Sequence, residues 1–140
     1  MEEIYKSVLG YEKLVRSFGC WPSFHDSEIV SARLDRDQGD PFKGPVLTVA
    51  VHLFRLEAAP EASDRNNTLT TICFRELEKF MMSDFNHQNA VEGLVLTSRY
   101  SERLRRQVFG VHFLPGFGMD CSFECGEIEV LSVEPFTPKW

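Results

Sequence analysis

The sequence predicts an α+β fold, an N-terminal helix packed on a largely antiparallel, meandering sheet of about six to seven strands. Two observations carry this. One amphipathic stretch at helical spacing opens the chain, and a run of segments with strand-like alternation follows it. Short turn-forming stretches join neighbouring strands, which favours antiparallel pairing over crossovers. A lone amphipathic helix must cover something apolar, and the sheet is what the chain offers.

Between Glu2 and Phe18 the apolar residues Ile4, Val8, Tyr11, Leu14, Val15 and Phe18 fall three and four apart, on one helical stripe. Gly10 interrupts the stripe and Gly19 supplies a C-terminal stop. Trp21 to Glu28 follows as a loop dense in aromatic and ionisable side chains. Glu28 to Asp37 then alternates, with Val30, Ala32 and Leu34 assigned to the buried face. The turn-rich Gln38 to Pro45 reads as a hairpin loop. Val46 to Leu56 is a strong strand with Leu47, Val49, Val51 and Leu53 on one face. Ala58 to Asn67 reads as a polar, mobile connection, and Thr68 to Arg75 as a β-branched strand.

Glu76 to Asn89 is less regular. Leu77, Phe80 and Met81 fit one helical turn or a bulged edge strand, and Phe85 to Asn89 fits a polar loop. Val91 to Tyr100 and Leu104 to Phe113 are further strands, the second with Phe109, Val111 and Phe113 sharing a face. Leu114 to Gly118 reads as a turn. Met119 to Cys125 and Glu127 to Val133 alternate again around Gly126, and Pro135 and Pro138 end regular structure. The outward face of such a sheet must be wet, or be buried by curling of the sheet or by a partner.

With 140 residues the chain fits one domain, 1–140, large enough for a real core. Hydrophobic residues make up 43% and charged residues 26%, an ordinary balance for a soluble protein. A net charge of −6 and a pI near 5.2 lack the basic signature of a nucleic-acid binder. No apolar run approaches membrane-spanning length, and Met1-Glu2-Glu3 is acidic where a secretory signal is basic. These features predict a cytoplasmic protein with no membrane or nucleic-acid partner; they fix no oligomeric state. In that setting Cys20, Cys73, Cys121 and Cys125 are expected as buried thiols, not disulfides.

No nucleophile elbow, phosphate-binding loop, dinucleotide fingerprint or metalloprotease motif occurs, so no catalytic residue and no cofactor is assigned. The sharpest chemical candidate is His25, Asp26 and Glu28, which offer nitrogen and oxygen ligands to a divalent metal if another element completes the set. The preferred reading of this loop is structural: Asp26 accepting backbone bonds at a corner, Trp21 and Phe24 anchoring it, Pro22 stiffening it. Asn86 and His87 are read as part of an internally bonded turn, and His52 and His112 as sheet residues with partners. Arg99, Arg103, Arg105 and Arg106 form a basic cluster read as a solvated strand end. Asp120, Glu124, Glu127, Glu129 and Glu134 form an opposite, acidic set, read first as a wet sheet face and alternatively as a patch that steers a basic protein partner.

Trp21-Pro22-Ser23-Phe24-His25-Asp26-Ser27-Glu28, placed after an N-terminal helix, resembles the signature of the immunity protein 50 family, predicted antidotes in bacterial polymorphic toxin systems. Phe85-Asn86-His87-Gln88-Asn89, Phe117-Gly118-Met119-Asp120-Cys121-Ser122-Phe123 and Val130-Leu131-Ser132-Val133-Glu134-Pro135 are similar to that family in the same order. The resemblance implies a small cytoplasmic, non-enzymatic α+β protein that binds and neutralises a cognate toxin. It carries Trp21, Pro22, Phe24, His25, Asp26 and Glu28 over as motif residues, either contacting the partner or holding the fold. Asn86, His87, Asp120, Glu124 and Glu127 are further candidates for partner contact.

Overall fold

The structure is a computed structural model that describes residues 3–40, 42–54 and 67–137. It holds one helix on an antiparallel sheet whose eight strands are β1 (Glu28–Asp35), β2 (Val46–Leu53), β3 (Thr68–Arg75), β4 (Glu78–Ser83), β5 (Ala90–Ser101), β6 (Arg106–Phe117), β7 (Asp120–Cys125) and β8 (Glu127–Pro135). The expected α+β class holds, with slightly more strands than expected: the ambiguous Glu76–Asn89 stretch supplies β4 as a bulged edge strand, not a helical turn. The expected mobile connection lies outside the described residues except for Asn67.

The strand order is β4-β7-β6-β5-β1-β2-β3-β8. Each run of three sequential strands, β1-β2-β3 and β5-β6-β7, is a meander. Each then gains its fourth strand from the other run, since β4 follows β3 in the chain but pairs with β7, and β8 follows β7 but pairs with β3. Such an exchange requires the sheet to fold over. In a flat sheet β3 and β6, four strand spacings apart in that order, would stand roughly 19 Å from each other. Yet the rings of Phe74 on β3 and Phe113 on β6 meet edge to face with centroids 5.9 Å apart, and Phe74 lies 5.0 Å from Phe123 on β7. The two halves therefore face each other across one core. Leu47, Val49, Val51, Leu53, Ile72 and Phe74 enter it from one side and Val111, Phe113, Cys121 and Phe123 from the other. Curling of the sheet is what buries its inner face.

The N-terminal stretch is not one helix. Ile4–Ser7 is a 3-10 turn, Val8 and Leu9 are extended, and α1 spans Tyr11–Phe18. Gly10 breaks the stripe because its φ of +75° is a left-handed value and a Cβ there would stand 2.6 Å from the Val130 carbonyl oxygen. The extended pair is then free to bond β8: the Leu9 amide donates to Ile128 O at 2.9 Å and the Val130 amide to Leu9 O at 2.8 Å. Lys13 of α1 adds Nζ donors 3.2 Å from the Val130 and Leu131 carbonyls. The edge of β8 is thus blunted against pairing with other chains. Leu14 and Phe18 turn into the core, and Gly19 ends α1 in the left-handed region as expected.

Two strand assignments change. A bulge between Ile29 and Ser31 displaces Val30, so Ile29 faces the core while Val30 and Leu34 are exposed; of the expected inward set only Ala32 packs on the core. The stretch Leu114–Phe117, expected as a turn, continues β6, and Pro115 is tolerated because the β5–β6 register slips around Val91 opposite it. The turn is set instead by Gly118.

Candidate functional site at the seam of the sheet

The two halves of the folded sheet are joined where β1 meets β5, and the only register pair there among the described residues is Glu28 with Ala90. The Trp21–Glu28 loop sits on this seam. The Asp26 amide donates to Val91 O at 2.9 Å, the Val91 amide to Ser27 O at 2.9 Å, and the Ile29 amide to Asn89 O at 3.0 Å. Beyond Ile29 the two strands part. The loop therefore staples a junction that regular pairing leaves thin.

Its shape follows from a few side chains. Phe24 and Asp26 have φ of 67° and 64°, left-handed values that cost energy for residues with a Cβ and persist only where surroundings hold them. Phe24 is held by burial, at 2% exposure. The buried Ser27 hydroxyl donates to Phe24 O at 2.6 Å, and Ser23 Oγ accepts the His25 amide at 3.2 Å. The expected role of Asp26 as a backbone acceptor is thus filled by Ser23 Oγ, while the Asp26 carboxylate faces His25 Nδ1 at 3.3 Å. Trp21 is only partly buried. It stacks on Tyr5 with ring centroids 5.3 Å apart and leans on Phe24 at 5.7 Å. Phe24 is the deep anchor, and Trp21 bridges it to the 3-10 turn.

The second family-like stretch lies against the same seam, and Asn89 is its centre. This asparagine is 2% exposed and makes bonds on both amide atoms. Its Oδ1 accepts from the Asn86 amide at 2.9 Å and the Met119 amide at 3.3 Å, and its Nδ2 donates to Asn86 O at 2.8 Å and Ile29 O at 3.4 Å. Asn86 Oδ1 accepts from the Gln88 amide at 2.9 Å. The internally bonded turn expected here is present. The third stretch closes on it: Gly118, with φ of +80°, packs where any Cβ would collide with the Gln88 carbonyl oxygen. Three stretches far apart in the sequence, 21–28, 85–89 and 117–120, thus meet at one end of the molecule. Sequence reasoning missed Ser27, whose hydroxyl is part of the staple, and Glu92, whose carboxylate approaches His25 Nε2 at 3.7 Å. No local pattern marks Glu92, because its partner is far away in sequence.

Between the first two of these stretches, β2 and the residues after β8 lies a cleft of about 510 Å3 lined by Glu28, Val30, His52, His87, Asn89 and Phe136, among others. His52 Nε2 lies 2.8 Å from Asn67 Oδ1, and its ring packs 5.0 Å from that of Phe136. The Glu28 side chain has no hydrogen-bond or ion-pair partner among the described residues. The metal trio is not assembled. His25 lies between Asp26 and Glu92, Glu28 lines the cleft, and among the described residues no group of three His, Cys, Asp or Glu side chains is placed to hold a metal ion.

Among the described residues the acidic and basic sets meet in one pair, Arg99 with Glu124, and their other members that pair do so with residues outside both sets. Arg99 pairs with Glu124 through two hydrogen bonds of 3.1 and 3.2 Å, and Lys79 joins them at 3.5 Å. The Arg99 guanidinium accordingly holds the Glu124 carboxyl below the usual carboxylate range. Arg103 meets Glu78 at 3.0 Å, Arg106 meets Glu76 at 2.7 Å, and Arg75 meets Glu127 and Glu129 at 2.8 and 2.9 Å. Asp120 Oδ1 lies 2.8 Å from His112 Nε2. Of the further candidates, Asn86, His87 and Asp120 come to the seam end, whereas Glu124 and Glu127 sit in ion pairs away from it.

No helix among the described residues is long and apolar enough to cross a membrane. No curated protein and no solved structure matches the chain. The model of one protein family, described as Immunity protein 50, matches residues 10–136, a span that runs from the glycine before α1 through β8 and takes in all the stretches brought together at the seam; the chain belongs to the Immunity protein 50 family.

Proposed function

We propose that this protein is a stoichiometric antidote that binds a cognate toxin protein in the bacterial cytoplasm and occludes it, without transforming a substrate. The observation that carries this reading is the family match over residues 10–136. The acidic balance of −6 is consistent with accelerated encounter with a basic partner. A rigid, cross-linked loop end suits an inhibitor, because groups already ordered before binding lose little entropy on association. Such an interface buries roughly 1,200–2,000 Å2 in total and is dominated by a few anchor residues.

The test is co-expression with the toxin domain encoded by the neighbouring gene. Growth should be restored, and the two chains should co-elute as a complex with one copy of each. Continued killing together with independent elution would contradict the proposal.

A further inference from the structure

We propose that the seam end is the docking face, and that it receives a cationic surface of the partner protein with an arginine or lysine side chain of that partner seated in the cleft against Glu28. This rests on the reading that the chain binds a toxin, and it adds where and by what chemistry.

The first observation is the surface itself. Phe85 and Phe117, from the second and third stretches, are 45% and 54% exposed, and Val30 beside the cleft is exposed as well. Aromatic side chains left in water next to a preformed cleft have the composition of interface anchors. They stand on a framework fixed by the Asn89 and Ser27 bonds, so binding would not have to order them.

The second observation is charge, and it selects the occupant. The sequence has no lysine or arginine between Arg16 and Arg33, between Lys79 and Arg99, or between Arg106 and Lys139. The three stretches that build this end lie within those intervals. They and their flanks carry Asp26, Glu28, Asp84, Glu92 and Asp120, and among the described residues only two histidines, His25 and His112, stand beside any of them as counter-groups. At the opposite end of the sheet the carboxylates of Glu76, Glu78, Glu124, Glu127 and Glu129 are each matched to an arginine. Among the described residues, one end is therefore neutralised internally and the other keeps an excess of carboxylates. Glu28 is the sharpest point of that excess, a carboxylate in a cleft walled by Val30 and the Phe136 ring. A guanidinium there can pair with the carboxylate while its plane packs on the aromatic and imidazole rings, and an ammonium can pair with the carboxylate alone.

Titration calorimetry of the purified chain with the catalytically inactivated toxin domain from the neighbouring gene tests this, at low and high salt. Glu28→Lys and Phe85→Ser should each weaken binding at least about tenfold while the chain stays folded by circular dichroism, because neither side chain has a hydrogen-bond or ion-pair partner among the described residues. Glu102→Lys, in the turn at the opposite end, should stay within about twofold, and wild-type affinity should fall as salt rises. Unaltered affinity in both Glu28→Lys and Phe85→Ser, with wild-type binding intact, would overturn the docking face and leave the antidote reading standing. Absence of wild-type binding would overturn both.

Discussion

Asn89 shows how much one buried amide can hold. Two of its hydrogen bonds close the turn before β5 on Asn86, and two tie that turn to β1 and to Met119 just before β7. Replacing it by alanine leaves the Asn86 and Met119 amides without their acceptor, and buried donors without partners cost about 1–3 kcal/mol each. Asn89→Ala should therefore lower unfolding free energy by about 2–4 kcal/mol in urea titration; a change below about 0.5 kcal/mol would show that water takes over these bonds. The two aromatics of the loop differ in the same currency. Phe24 is buried, so Phe24→Ala should cost about 3–5 kcal/mol. Trp21 stacks on Tyr5 but keeps part of its ring in water, so Trp21→Ala should cost less, about 1–2 kcal/mol. Equal losses, or a larger one at Trp21, would contradict this ranking. The sequence shows both aromatics and their motif, but not which one reaches the core. That is decided by the left-handed turn at Phe24, a conformation that no residue type in the motif announces.

At the scale of elements, alternation located β2 and β3 well, because both are central strands flanked on either side and their inward residues must be apolar. It failed at β1, where a bulge at Val30 puts Ile29 on the core face and, of the expected inward set, leaves only Ala32 there. It also failed at the N-terminus, where the helical period continues across Gly10 although the chain leaves the helix to pair with β8. The thiols report on the same packing. Cys121 and Cys125 point inward from β7, and burial pushes both thiols up to about 12; Cys73 on β3 is raised for the same reason, while Cys20 beyond α1 is exposed, contrary to the expectation of four buried thiols. A thiol reagent at pH 8 should modify Cys20 quickly in the native protein and the other three only on unfolding. The sign of the linkage follows from the raised values. Below the ordinary value near 9 these thiols are protonated in both states and stability is unaffected. Between about 9 and 12 the unfolded chain loses those protons and the native one keeps them, so stability falls as pH rises. Rapid labelling of more than one thiol at pH 8, or a flat alkaline limb, would contradict the packing of β7.

For the whole molecule, the exchange of β4 and β8 between two meanders folds the sheet closed and leaves a single thin junction between β1 and β5. The sequence pattern reveals strands and their approximate order of pairing, yet contains no sign of that exchange, since it depends on contacts between residues such as Phe74 and Phe123 that lie far apart in the chain. It is this closure that brings 21–28, 85–89 and 117–120 to one end. Each is recognisable alone as a turn or motif, and only their convergence makes a surface. The same closure separates charge among the described residues, with arginine–glutamate pairs gathered at one end and carboxylates lacking an arginine or lysine partner beside exposed aromatics at the other. This end is where the partner is expected to dock. Amide hydrogen exchange of the chain alone and in complex with its toxin domain measures it directly. Slowed exchange on binding should concentrate in residues 21–30, 84–92 and 117–120, with the 101–106 turn unchanged. Protection confined to that turn or to α1, with the seam end exchanging as in the free protein, would contradict it.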